Sequence, residues 1–149
     1  MFHLAQINIA RLLKPIDDPQ IADFVNGLDE INALAERSPG FVWRLVSEDG
    51  NDATEYRPYD DDRLIVNVSV WEDVDSLRAY TYRSGHVDFF IRRKAWFEPI
   101  KQAHVALWWV PAGQNTTLEE AVARLEHLRL HGSSPTAFSI AKPELPPSN

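Results

Sequence analysis

The sequence contains no cysteine. Disulfides, thiolate metal sites and a cysteine nucleophile are therefore excluded, and a cytoplasmic protein is consistent with that usage. No apolar run is long enough to cross a membrane. The start, MFHLAQINIARLLK, has no basic stretch ahead of its apolar residues and no clear cleavage site, so it reads as a strand and not as a signal peptide. Positive charge is scarce, with a formal net charge of −7 and one dense basic run, Arg92-Arg93-Lys94. Nucleic-acid binders carry a basic face, so nucleic acid and anionic membranes are not expected partners. There is no glycine-rich phosphate loop and no Gly-x-Ser-x-Gly nucleophile elbow. Flavin and nicotinamide binding thus have no support. The five histidines show no His-x-His pair. His127 and His131 are four apart at a helix end, where pairing with the helix dipole is the simpler reading, so no metal site is assigned.

What remains suits one domain. The 149 residues are 44% hydrophobic and 11% aromatic, enough for a sizeable core. His3–Ala10 alternates as a first strand. Asp18 caps a helix with Pro19 at its first position, and Ile21, Phe24, Leu28, Ile31 and Ala35 keep helical spacing up to Ser38-Pro39-Gly40. Phe41–Ser47 is a second strand, predicted to place Phe41, Trp43 and Leu45 on one face. A polar connection of 16 residues, Ser47–Asp62, follows. Arg63–Trp71 is a third strand. Leu64, Val66, Val68 and Val70 share an aliphatic face, and Ile65, Asn67, Ser69 and Trp71 share the other. A helix from Asp73 carries Val74, Leu77 and Tyr80 inward and ends at Gly85. A short helix begins at His86, and His104–Val110 is the fourth strand. Thr117 with Glu120 forms a capping box for a last helix, closed by His131-Gly132. The domain is placed at residues 1–142, with 143–149 expected to be disordered.

The order β-α-β-β-α-β plus a C-terminal helix is the ferredoxin-like α+β arrangement. In that arrangement both helices cover one face of an antiparallel sheet. The second and fourth strands carry large apolar residues on both faces, including Trp43, Trp108 and Trp109, so the face left uncovered predicts a partner, and a homodimer through the sheet, a dimeric α/β barrel, is expected.

Candidate site residues follow from the polar face of the third strand. Asparagine is disfavoured in mid-strand, and a buried amide without partners costs about 1–3 kcal/mol, so Asn67 calls for a reason. The plain reading is a core amide satisfied by a neighbour. The functional one is a ligand-binding amide, with Trp71 as an aromatic wall. On a helix, His86, Phe90, Arg93 and Phe97 share a face. His86 can take a proton near neutral pH, Arg93 can pair with an anion, and Tyr80 is a further wall residue.

Pro39-Gly40-Phe41, Asn67-x-Ser69-x-Trp71-x-Asp73 and His86 with Trp96-Phe97 together resemble an uncharacterised bacterial family. That family belongs among dimeric α/β-barrel proteins related to the antibiotic-biosynthesis monooxygenases. The resemblance implies a small cofactor-independent monooxygenase, an oxidoreductase acting on an aromatic or polyphenolic molecule, with Asn67, Trp71 and His86 catalytic. It also brings in Asn8, because haem-degrading relatives use an Asn on strand one, a Trp on strand three and a His on the second helical segment. His86 follows Trp71 by 15 residues across Gly85, which ranks haem below a reaction without cofactor. A non-catalytic small-molecule-binding protein of the same fold is the alternative.

Overall fold

The computed structural model describes residues 1–47, 52–54, 56–83 and 91–148. Strand β1 (Phe2–Leu12) is the centre of the sheet. One edge of β1 pairs antiparallel with β3 (Leu64–Trp71), from Leu4 opposite Trp71 to Arg11 opposite Leu64. The other edge pairs first with β5 (Val105–Pro111) and, further along, with the two-residue strand β4 (Phe97–Glu98). Strand β2 (Phe41–Arg44) pairs antiparallel with β3 and forms the outer edge there. With β4 set aside, the order β2-β3-β1-β5 and the uniformly antiparallel pairing are those of a ferredoxin-like sheet.

The helices form where local chemistry directs them. Asp18 accepts a hydrogen bond from the Gln20 backbone N–H, Pro19 follows, and a 3-10 turn (Pro19–Ile21) leads into α1 (Ala22–Glu36). Helix α2 (Val74–Arg83) begins with the Asp73 carboxylate accepting from the Ser76 N–H. Thr117 caps α3 (Leu118–His131) by accepting from Glu120 N–H, and Gly132 at φ 74° ends it. Residues 86–90 of the short helix expected from His86 lie outside the described residues. Its described end is a 3-10 turn (Arg92–Ala95) that delivers the buried Trp96 to the core.

The two faces of the sheet are covered differently. On one, Ala5, Ile7, Val66, Val68, Val70, Ala106 and Trp108 pack with Ala121, Leu125 and Leu128 of α3. The expectation of a wholly uncovered face is corrected here: Trp108 is 0% exposed within the single chain, because α3 brings an apolar stripe at helical spacing across β1 and β5. The other face meets α1 and α2. A second correction concerns β2. Phe41 lies opposite Trp71 but Trp43 lies opposite Val70, because the register shifts between them. One extra residue flips the following side chains to the other face, so Phe41 and Trp43 are on opposite sides.

The C-terminal segment is docked. Leu107 and Phe138 exchange both backbone hydrogen bonds at 2.9 Å, and Phe138 is fully buried. The Arg78 guanidinium donates to the Ile140 carbonyl, and the Trp109 indole N–H donates to the Glu144 carbonyl at 3.0 Å. Glu144 is the second residue of the segment 143–149, for which disorder is expected.

A polar row beneath the helices

Strand register sets side by side the residues that alternate toward α1 and α2. Across the sheet, Arg44, Ser69, Gln6 and Leu107 form one row, and Asn67, Asn8 and Val105 form the next. Above these rows Leu4, Trp71, Leu77 and Leu107 pack with Phe138. Below them Leu12, Phe24, Ile65 and Trp96 form a second apolar cluster. The core under the helices is therefore split by a polar band.

The band is hydrogen-bonded within itself. Gln6 is 4% exposed, and its Nε2 donates to Asn67 Oδ1 and to Ser69 Oγ, each at 2.7 Å. Ser69 Oγ also accepts from the Trp71 indole N–H at 2.9 Å. Trp71 is fixed from both sides, edge-on to Phe41 with centroids 5.5 Å apart and stacked on Tyr80 at 5.1 Å. The Tyr80 hydroxyl donates to the Ile31 carbonyl, and burial pushes its pKa up to about 12 against a smaller opposing pull from Arg44. The Arg44 side chain is only 8% exposed and reaches Glu36 on α1 at 3.3 Å.

Asn67 and Asn8 lie directly opposite each other on adjacent strands and are both partly exposed. The Asn67 carbonyl oxygen is engaged by Gln6, while among the described residues its Nδ2 has no acceptor. This is a pre-positioned donor beside a second amide, flanked by aromatic clusters.

Of the residues singled out from sequence, Asn67, Asn8, Trp71 and Tyr80 come together. Trp71 differs from the expected cavity wall. At 1% exposure, it braces Ser69 from behind and offers no open face to a ligand. The same burial means that Trp71 does not fit the haem-contacting role. Arg93 is exposed on the turn at the far end of the sheet, the end where Trp96 packs. His86 and Phe90 lie outside the described residues. Gln6 and Arg44 were missed. For Gln6 the available signal was the Gln6–Asn8 pair, two polar residues two apart on a strand and hence on one face. For Arg44 the bulge at β2 hid its side.

Two shallow grooves open elsewhere. One of about 500 Å³ is lined by Ser38, Pro39, Asp73, Asp75, Ser76, Ala79 and Tyr80. The other, about 300 Å³, lies on the α3 side between Ile9, Leu64, Ile100, Arg11 and Arg129. Arg11 there is already committed to Asp61 at 2.9 Å and Glu98 at 2.7 Å.

A two-helix layer over an antiparallel sheet in this strand order, with a further helix on the opposite face, defines an α+β protein of the ferredoxin-like class. More narrowly, the chain belongs to the family described as domain of unknown function DUF3291, whose pattern matches residues 3–149. A comparison with curated proteins gives no match. Among solved structures it is similar to SnoaB, a cofactor-independent oxygenase from Streptomyces nogalater. The identity is 20% and the TM-score 0.50, over 77% of this chain and 97% of that one. It is also similar to NE2512, a protein of unknown function from Nitrosomonas europaea. There the identity is 12% and the TM-score 0.51, over 78% of this chain and 97% of that one. At such identities the likeness establishes the fold.

Proposed function

We propose that this protein is a cofactor-independent, monooxygenase-like enzyme acting on an aromatic or polyphenolic small molecule bound against the polar band. The observation that carries this reading is the Asn8–Asn67 amide pair, with Asn67 Nδ2 left to donate, among the described residues, between two apolar clusters. A planar phenol or enol, with an oxygen that accepts from Asn67 Nδ2, suits such a donor. His86, or a water beside it, takes the phenolic proton. Asn67 Nδ2 then hydrogen-bonds the resulting oxyanion, which favours the charge that develops during reaction. The anion reduces dioxygen itself. A carbon–oxygen bond forms, the carbon gives up its hydrogens, and the second oxygen atom leaves as water. Arg44 contributes positive charge to the band from within the core, a role that sequence had assigned to Arg93. The same fold and the partly buried Trp43, Leu45 and Leu64 beside α3 support a homodimer through that part of the sheet. Light scattering at micromolar concentration tests this, and a monomer would remove it.

The decisive experiment is dioxygen uptake over a panel of phenolic substrates. Asn67→Ala is expected to lower kcat by roughly 10²-fold, the usual cost of losing one oxyanion donor. Full turnover by that variant would end the assignment.

One observation favours a second reading. Gln6, Asn8, Asn67, Ser69 and Trp71 carry no charge, and Tyr80, with its pKa raised to about 12, is no base at neutral pH. Among the described residues the band therefore binds without supplying a base. A non-catalytic small-molecule-binding protein would show saturable binding with no product by mass spectrometry.

A further inference from the structure

An asparagine side chain presents a donor at one end and an acceptor at the other. In a ligand site, something must decide which end faces the ligand. We infer that Gln6 is the positioning residue that makes this choice, and that it tunes the site for ligands bearing a hydrogen-bond acceptor, a carbonyl or phenolate oxygen, on a planar ring. The inference rests on the reading of the polar band as a ligand site, and it assigns a role to a residue that touches the ligand only through Asn67.

The chain of constraints starts at Trp71. Its indole nitrogen can only donate, and it donates to Ser69 Oγ at 2.9 Å while Phe41 and Tyr80 hold the ring. Ser69 Oγ, two residues along β3 from Asn67, accepts that bond and keeps a second lone pair, which accepts from Gln6. Gln6, opposite Ser69 in the ladder, is buried and commits Nε2 to Ser69 Oγ and to Asn67 Oδ1 together. Turning the Asn67 amide over would set its NH₂ against the Gln6 NH₂, donor against donor. The Asn67 oxygen is thus retained by Gln6 and the Asn67 nitrogen is presented outward. Asn8, in register beside it, extends the amide surface without fixing its polarity. A site with an oriented donor that is otherwise unpaired among the described residues discriminates against analogues that lack the matching acceptor, because the donor is then left unsatisfied.

The test uses the full chain and three naphthalene probes: acetonaphthone, its hydrocarbon isostere isopropenylnaphthalene, and naphthylamine as a donor. Binding is read by tryptophan fluorescence quenching. The wild type is expected to bind acetonaphthone about five- to tenfold more tightly than the isostere, the value of one net hydrogen bond. Gln6→Met, which fills the same space without donors, is expected to bring that ratio close to one while both probes still bind. A merely structural Gln6 would weaken both probes together and leave the ratio intact. That result in a folded Gln6→Met variant, or a wild type that prefers naphthylamine, would overturn the inference. If none of the probes binds, the ligand-site reading fails. Side-chain amide exchange by NMR then still decides the orientation. Protected Gln6 Nε2 protons with fast-exchanging Asn67 Nδ2 protons support it, and the reverse pattern refutes it.

Discussion

Asn67 shows how two readings of one residue can hold together. Asparagine in the middle of a valine-rich strand was legible from sequence as an anomaly, and the plain explanation of a satisfied core amide is half realised, since Gln6 bonds its oxygen. The other half of the amide is what makes the position chemically interesting. For Gln6 the spacing to Asn8 marks a shared face, but its partner is not legible, because only the strand register places it opposite Ser69. Tyr80 carries a prediction of its own. Its folded pKa of about 12 lies above the ordinary value of 10.0 because burial opposes the phenolate. Below pH 10 the tyrosine is neutral whether the chain is folded or unfolded, so its full contribution to stability is present there. As pH rises from about 10 to about 12 the unfolded chain loses the proton first, and stability falls. The loss attributable to Tyr80 is at most about 2–3 kcal/mol for two pKa units. Urea denaturation midpoints at mild and strongly alkaline pH measure it. Tyr59 is raised to about 12 as well and contributes in the same window, so Tyr80→Phe is expected to remove about half of the slope, and an unchanged slope would mean that Tyr80 does not contribute.

The elements with local signals are the ones that sequence placed well. Asp18-Pro19, Thr117 and Gly132 act through hydrogen bonds to atoms within a few residues, so a short window contains the whole argument. The alternation of β3 was read correctly on both faces for the same reason. The bulge in β2 and the two-residue β4 depend on which strands they meet, and no local pattern encodes that. The turn from α1 into β2 combines both kinds of information. Gly40 sits at φ 84°, and a Cβ added there would lie 2.0 Å from Ser76 Oγ and 2.3 Å from Ser76 Cβ at the start of α2. Two separate costs follow, a left-handed backbone for a non-glycine residue and a collision with another element. Gly40→Ala is expected to destabilise the fold by about 2–4 kcal/mol. Adding Ser76→Gly should recover the collision but not the backbone strain, leaving a deficit of about 1–2 kcal/mol. Thermal unfolding of the single and double variants separates the two, and equal melting temperatures for Gly40→Ala and wild type would contradict the geometry.

Taken as one body, the chain covers its sheet with material from its C-terminal part, whose docking place local patterns do not encode. A ferredoxin-like sheet read from its strands alone has an open face and two open edges. Here α3 fills the face over β1 and β5, and the segment after it closes the β5 edge through Phe138 before reaching Trp109 through Glu144. Disorder is expected from sequence only beyond Lys142, and what no local pattern encodes is where the stretch before it docks, since that depends on its register with β5. The anchors are Ala137 and Phe138, both fully buried, and the Arg124 and Arg78 guanidinium groups that donate to the Thr136 and Ile140 carbonyls. Removing the chain after Gly132 should therefore act as a core deletion. The loss of Phe138 alone predicts about 3–5 kcal/mol. The bared β5 edge, with Trp109 uncovered, predicts association that grows with concentration. Removing only the residues after Glu144 keeps every one of these contacts and should leave the melting temperature within a degree or two, the shift that a surface change of about 0.5 kcal/mol produces. Calorimetry and size-exclusion chromatography of the two truncations, run beside the full chain, check the contrast. A short truncation as damaging as the long one would place the anchor beyond Glu144, and a harmless long truncation would mean that the β5 edge does not depend on this segment.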